Sequence, residues 1–304
     1  MANIFSNLPG MRKKNVRLSN AQSRKYILND KTQFVIREAY KTARTNLIFA
    51  LAPYKNKISV VTSCMPTEGK STTALNMAIT MAEKGENVLI IDCDMRKPNV
   101  HNLFNIRNVT GLSSILGGIN SDVNAAIHSS VRNNLDVMTA GPIPPNPAEL
   151  LSSQKMRELV HLISKYYDYI FLDTPPVNVV SDALLMNDIA AGIVLVVKED
   201  STSHPALKDA LRSIEMANGK VLGFIKVGCN AKASKSYKSY KYGKYGEYGY
   251  GYGSKYGYGY GYGYGYGYGY GHKKKSSRYG FDYIRTKWTK KTVDTPYQYI
   301  EDDE

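Results

Sequence analysis

The sequence predicts an α/β protein, a doubly wound and mainly parallel sheet, followed by a tail with no fold of its own. Three observations carry that prediction. Between residues 35 and 230, short apolar runs alternate with stretches of helical periodicity, the pattern of strand–helix–strand units. Several of those runs end in an acid or a tight loop, which puts polar chemistry at the carboxyl ends of buried strands, where such sheets bind ligands. From about Ala231 the chain becomes an alternation of glycine and tyrosine. Such a segment loses much backbone entropy on ordering and has few aliphatic side chains to offset it.

Residues 1–34 read as a basic, flexible arm. The run Glu38–Leu51, EAYKTARTNLIFAL, places Ala43, Leu47, Ala50 and Leu51 at helical spacing. Glu38, Lys41 and Arg44 fall three apart and are expected on one side of that helix. Ile58–Thr73, ISVVTSCMPTEGKSTT, reads as a buried strand, a tight loop and the first turn of a helix. That helix is predicted over Thr72–Lys84, stopped by Gly85. Asn87–Asp94 (NVLIIDCD) and Tyr167–Asp173 (YDYIFLD) are apolar runs that end in acids, as expected of strands buried on both faces. Further strands are predicted at Leu135–Thr139, Gly192–Lys198 and Val221–Val227. Helices are predicted at Pro147–Tyr166, Val180–Ile189 and His204–Asn218.

The loop before the first core helix ends Gly69-Lys70-Ser71-Thr72, the end of a P-loop. In such a loop the backbone N–H groups, here from Thr67, Glu68, Gly69, Lys70, Ser71 and Thr72, point at phosphate oxygens beside a helix N-terminus. Lys70 would put a cation on the β/γ-phosphates, and the Ser71 hydroxyl would bind Mg²⁺. Cys64 stands where the general pattern has its first glycine, and Thr67 stands where glycine is frequent. A left-handed Thr67 would cost roughly 1–2 kcal/mol, so ordinary dihedrals are expected there. An incidental Gly-Lys-Ser in a strand–turn–helix is the plainer alternative. Asp92 and Asp94 stand two apart at one strand end and Asp173 at another, the usual place for an acid that holds Mg²⁺. Buried acids at strand ends also cap helices, but three of them converging on a Gly-Lys-Ser loop favour a nucleotide site.

Composition sets outer bounds. The net charge of +14 is concentrated at the ends: residues 1–30 hold six Lys/Arg against one acid, and residues 231–304 hold 14 against seven. Basic ends suit an anionic membrane surface or nucleic acid, and equally suit solvated tails with no fixed partner. Three cysteines, Cys64, Cys93 and Cys229, show neither metal nor disulfide spacing. They fit a reducing compartment and carry no assigned chemistry. No secretory signal and no run of about 18–20 apolar residues is seen, so a cytoplasmic protein is expected.

SCMPTEGKST, LIIDCDMRKP, GPIPPNPAELLSS and FLDTPP, in that order and spacing, resemble the bacterial tyrosine kinases of capsular and exopolysaccharide synthesis. The resemblance covers roughly residues 35–230. It implies a P-loop NTPase fold with Walker A (the P-loop), Walker A′ (LIIDCD) and Walker B (IFLDTPP) motifs, using ATP and Mg²⁺. Carried over residue by residue, it implies that Lys70 contacts the phosphates and Ser71 binds Mg²⁺. Asp92 becomes the base or orienting acid for a tyrosine hydroxyl, and Asp94 and Asp173 complete the metal and phosphate shell. It further implies a homo-oligomeric ring, an octamer being the candidate size, built through Glu38, Lys41 and Arg44. Lys41 replaces an arginine of the family's pattern, keeping charge and losing bidentate geometry.

The tyrosine-rich end, residues 231–304, becomes the autophosphorylation cluster. Tyr237, Tyr240, Tyr242, Tyr245, Tyr248 and Tyr250 are its candidate sites, each presented to a neighbouring subunit in trans. The implied partners are a transmembrane polysaccharide co-polymerase that activates the kinase and recruits it to the membrane, a cognate tyrosine phosphatase, and protein substrates. No nucleic-acid partner is expected. The last predicted strand has Val227 where relatives often place an adenine-contacting asparagine, with Asn230 nearby.

Two rivals compete. A partitioning or septum-site (ParA/MinD-like) ATPase would carry an extra lysine at the position of Met65. A non-enzymatic assembly protein would use the Gly-Tyr tail to self-associate or to stack on RNA, but leaves the acid triad without a use.

Overall fold

The computed structural model describes residues 23–229. The basic stretch up to residue 22, Asn230 and every candidate tail tyrosine lie outside the described residues.

Among the described residues seven strands form one sheet. In chain order they are β1 (Ile58–Ser63), β2 (Val88–Asp92), β3 (Ile127–Arg132), β4 (Leu135–Met138), β5 (Tyr169–Asp173), β6 (Gly192–Lys198) and β7 (Val221–Val227). Their spatial order is β3-β4-β2-β5-β1-β6-β7. All pairings are parallel except β3·β4. The antiparallel edge strand β3, IHSSVR, is half-exposed and interrupted by a register shift. Its weak apolar pattern gave no strand signal.

The helices are α1 (Phe34–Leu51), α2 (Lys70–Ala82), α3 (Val100–Phe104), α4 (Leu112–Leu116), α5 (Pro147–Leu151), α6 (Gln154–Ile163) and α7 (His204–Met216). The expected helix at Pro147–Tyr166 is two helices, α5 and α6. The break lies at Ser152-Ser153, where the Ser153 hydroxyl accepts the Met156 N–H and starts α6 afresh. The expected helix at Val180–Ile189 is a short 3₁₀ segment, Ser181–Met186. The strand expected at Asn87–Asp94 ends at Asp92, so Asp94 lies in the following loop.

Alternate strand residues feed two cores. Ile58, Val60, Leu89, Ile91, Ile170 and Leu172 face one side with α4, α6 and α7. Val61, Val88, Ile90 and Phe171 face the other with α1 and α2. Both faces are covered, which is why the strands read as continuous apolar runs.

α2 is buried nearly all round because three elements wrap it: the sheet, α1 and residues 26–28. Ile27 and Leu28, assigned from sequence to the flexible arm, are 5% and 2% exposed. The Asn76 side-chain amide of α2 fixes them: its Oδ1 accepts the Leu28 N–H and its Nδ2 donates to the Tyr26 carbonyl, both at 2.9 Å. Among the described residues no helix is long and apolar enough to cross a membrane.

Candidate active site

The loop Cys64–Gly69 joins β1 to α2 at the carboxyl edge of the sheet. Gly69, at the N-cap of α2, has φ +90°, a conformation that costs glycine nothing. Thr67 has φ +68°. The expectation of ordinary dihedrals there is therefore wrong. The loop must reverse direction above the helix, and no glycine is present at Thr67 to do it. Surrounding bonds hold the strain. The Glu68 carboxylate is 1% exposed, accepting the Met65 N–H at 2.9 Å and the Thr202 hydroxyl at 2.6 Å. Thr202 in turn accepts the Lys198 N–H at 2.8 Å. The Glu68 side chain thus ties the loop to the segment after β6, leaving only its backbone amide for a phosphate. The end of β7 closes the other flank: Val227 Cγ2 lies 3.7 Å from where a Cβ on Gly69 would stand.

Asp92 and Asp173 are paired in register across β2 and β5. They follow Ile91 and Leu172, which face the opposite core, so both acids face the α2 side. There the Lys70 ammonium lies 2.9 Å from Asp94 Oδ2, 3.5 Å from Asp173 Oδ1 and 3.2 Å from Ser71 Oγ. Five of the predicted residues, Lys70, Ser71, Asp92, Asp94 and Asp173, therefore meet at one place, with Thr72 half-buried just inside α2.

The acids differ in their partners. Asp92 is fully buried, and its carboxylate accepts three backbone N–H groups, those of Asp94 (3.2 Å), Asn99 and Val100 (both 3.0 Å). It organises the loop that carries Asp94 and leads into α3. Asp94 is buried as well, with Oδ2 on the Lys70 ammonium and Oδ1 accepting the Lys97 N–H at 3.0 Å. Among the described residues Asp173 Oδ2 is buried without a hydrogen-bond partner. An orphaned carboxylate oxygen beside a serine hydroxyl fits a hydrated Mg²⁺, which takes few protein ligands and keeps its waters and phosphates. Among the described residues no three His, Cys, Asp or Glu side chains form a ready metal cage.

Burial alone would lower the pKa of the Lys70 ammonium; the charges of Asp173, Asp94 and Asp92 outweigh it and hold the value above the ordinary lysine range. Burial and the charge of Asp173 push Asp92 up to about 8, against the pull of Lys70 and the Val100 N–H. Burial also raises Asp173, against Lys70. Burial and the Glu68 charge push the Cys64 thiol up to about 12, and burial keeps Cys93 well above its usual value. Both stay protonated and unreactive.

Two further groups belong to the site and were not singled out from sequence. Arg96 grips Asp182 with Nε–Oδ2 at 2.9 Å and Nη2–Oδ1 at 3.0 Å, and Thr202 holds Glu68. Arg96 stands inside the motif LIIDCDMRKP; Asp182 and Thr202 carried no local signal, because their partners are far along the chain.

The trio Glu38, Lys41 and Arg44 does not share one side of α1. Glu38 and Lys41 pair at 2.7 Å on the half-exposed face. Arg44 instead donates to the Thr80 carbonyl of α2 at 2.6 Å. Each three-residue step turns back about 60° around a helix, and two steps carry Arg44 towards the core.

The family model AAA_31, described as an AAA domain, matches residues 57–221. Tyrosine-protein kinase YwqD of Bacillus subtilis (strain 168) is 44% identical over 191 residues, covering 63% of this chain and 80% of that protein. The putative tyrosine-protein kinase CapB of Staphylococcus aureus is 38% identical over 199 residues, covering 65% and 86%. Among solved structures, the kinase domain of Escherichia coli tyrosine kinase ETK superposes with a TM-score of 0.63 at 31% identity, covering 74% of this chain and 80% of that one. The segment matched by the family model, residues 57–221, holds strands β1 to β6, the P-loop and all three acids. On that basis the chain belongs to the bacterial tyrosine-kinase family of P-loop proteins, enzymes that transfer phosphate from ATP to protein tyrosine.

Proposed function

We propose that this chain is the kinase component of a capsular or exopolysaccharide system, and that it phosphorylates the tyrosine cluster of a neighbouring copy's tail. The observation that carries the reading is the Lys70 ammonium at an α2 N-terminus, 2.9 Å from Asp94 and 3.5 Å from Asp173. Without nucleotide the two acids neutralise Lys70. With ATP bound, Lys70 turns to the phosphates and Asp94 gains a free edge. A tyrosine hydroxyl, pKa about 10, then has a carboxylate to accept its proton. Asp92 sets that carboxylate's position through the Asp94 N–H. Ser71 and Asp173 would hold Mg²⁺, which would supply charge neutralisation at the phosphates. Asp94, expected from sequence to share the metal, replaces Asp92 as proton acceptor in this reading because three N–H donors enclose Asp92. The remaining requirement of phosphoryl transfer is positioning, supplied by the loop amides and Lys70.

In this reading subunits assemble as a ring through the outer face of α1. Phe34 and Phe49 stand exposed at either end of the Glu38–Lys41 pair. The tail tyrosines of one subunit reach the next subunit's site, and each phosphate adds about −1.5 to −2 charges to a basic tail, which loosens the ring. A transmembrane partner recruits and activates the kinase at the inner membrane face, and a phosphatase resets it. The ATPase and assembly-protein alternatives gain no specific support.

The deciding experiment incubates the full chain with Mg-ATP, with and without the cytoplasmic end of the partner, and blots for phosphotyrosine. Tail phosphotyrosine that disappears in Lys70→Met is expected. ATP hydrolysis without phosphotyrosine would make the chain an ATPase of the partitioning type.

A further inference from the structure

Arg96 and Asp182 lie outside the phosphate loop and the acid triad, yet they form a bidentate pair between the two segments that carry the triad. Arg96 follows Asp94 by two residues. Asp182 is 0% exposed and sits in the 3₁₀ segment after β5, the strand that ends on Asp173. The Arg96 side chain is 39% exposed. Its guanidinium is therefore anchored at one edge in protein and at the other in solvent.

A closed circuit results. Asp173 contacts Lys70, Lys70 contacts Asp94, and the chain runs from Asp94 to Arg96. Arg96 grips Asp182, and the chain runs back to Asp173. Two links of this circuit run through the Lys70 ammonium. Those two must weaken when Lys70 turns to a phosphate. Asp94 then keeps the Lys97 N–H on its side chain, Asp92 holds its backbone N–H, and the Arg96 end of the loop depends on Asp182. Nothing in the Arg96–Asp182 link involves Lys70, so it survives nucleotide arrival.

We infer that Arg96 is a positioning residue for phosphoryl transfer: its forked grip on buried Asp182 keeps Asp94 aimed at the transfer site after Lys70 has released it. The inference rests on the kinase reading above. It separates two properties that the Lys70 cluster alone would leave together. ATP affinity depends on the loop amides and Lys70, which Arg96 does not touch. Turnover depends on where Asp94 points once ATP is in place. Lysine at position 96 keeps the charge and most of the length but cannot make two parallel hydrogen bonds.

The test compares parent, Arg96→Lys, Asp182→Asn and the double variant in the full chain with its activating partner. Readouts are nucleotide affinity, phosphotyrosine formation and thermal midpoint. Arg96→Lys is expected to lower turnover about tenfold or more while ATP affinity stays within about twofold. The double variant should lose little beyond the worse single one, because the two side chains act as a unit. Arg96→Lys changes a partly exposed side chain and carries the test if Asp182→Asn fails to fold. Parent-like turnover in Arg96→Lys overturns the inference, as does a loss of ATP affinity equal to the loss of turnover. A parent that makes no phosphotyrosine overturns the kinase reading and the inference with it.

Discussion

A φ of +68° at Thr67 puts a β-branched side chain in the left-handed region, at a cost of roughly 1–2 kcal/mol. The neighbouring buried Glu68 carboxylate offsets that cost by holding the Met65 N–H and the Thr202 hydroxyl. Thr67→Gly removes the strain and adds some unfolded-chain entropy. It is expected to stabilise the protein by about 0.5–1 kcal/mol with ATP affinity nearly unchanged, as thermal unfolding with and without nucleotide would reveal. A fall in the midpoint would mean that the Thr67 side chain itself supports the loop. At the same scale, identical residue types divide by surroundings. Asp92, enclosed by three N–H donors, organises its loop; Asp94, two residues on, pairs with the Lys70 ammonium.

α1 and α2 show how one element completes another. The last carbonyls of a helix lack partners within it, and Arg44 satisfies one of them at Thr80 while placing a cation at the negative end of the α2 dipole. Arg44→Ala is expected to cost about 1–2 kcal/mol in urea unfolding. Lys41→Ala, which breaks only an exposed pair, should cost under about 0.5 kcal/mol. Equal losses would remove the capping role. Arg44 also marks the limit of what the sequence conveys. Its three-residue spacing from Lys41 was visible; its inward turn depends on α2 packing alongside. Central strands buried on both faces were legible as nearly continuous apolar runs, and β6 and the half-exposed edge strand β7 match their predicted bounds. The edge strand β3 was not legible, because its pairing comes from β4 and a local register shift. The acid triad was legible from its strand ends. The Arg96–Asp182 and Glu68–Thr202 links were not, since each joins positions far apart in the chain.

Over the whole molecule, the clustered buried acids make stability depend on pH. The Asp92 carboxyl sits near 8 in the folded protein, raised from 3.8 by burial and the Asp173 charge, and Asp173 shifts in the same direction. Between those values the native state holds protons that the unfolded chain has released, so the contribution of these groups to stability falls as pH rises from about 4 to about 8. Lys70 shifts upward too, and its contribution holds until pH passes the ordinary lysine range. The nucleotide-free protein should melt at a lower temperature at pH 8 than at pH 5, and Asp92→Asn should flatten that slope. A midpoint that climbs over the interval would show these acids ionised throughout.

Asn76 makes the segment before α1 more than a surface strap. Its amide takes the place of a missing peptide group, clasping Tyr26 and Leu28 from the middle of α2. The helix that seats residues 26–28 at its midpoint is therefore the one whose first residue is the phosphate-loop lysine, Lys70.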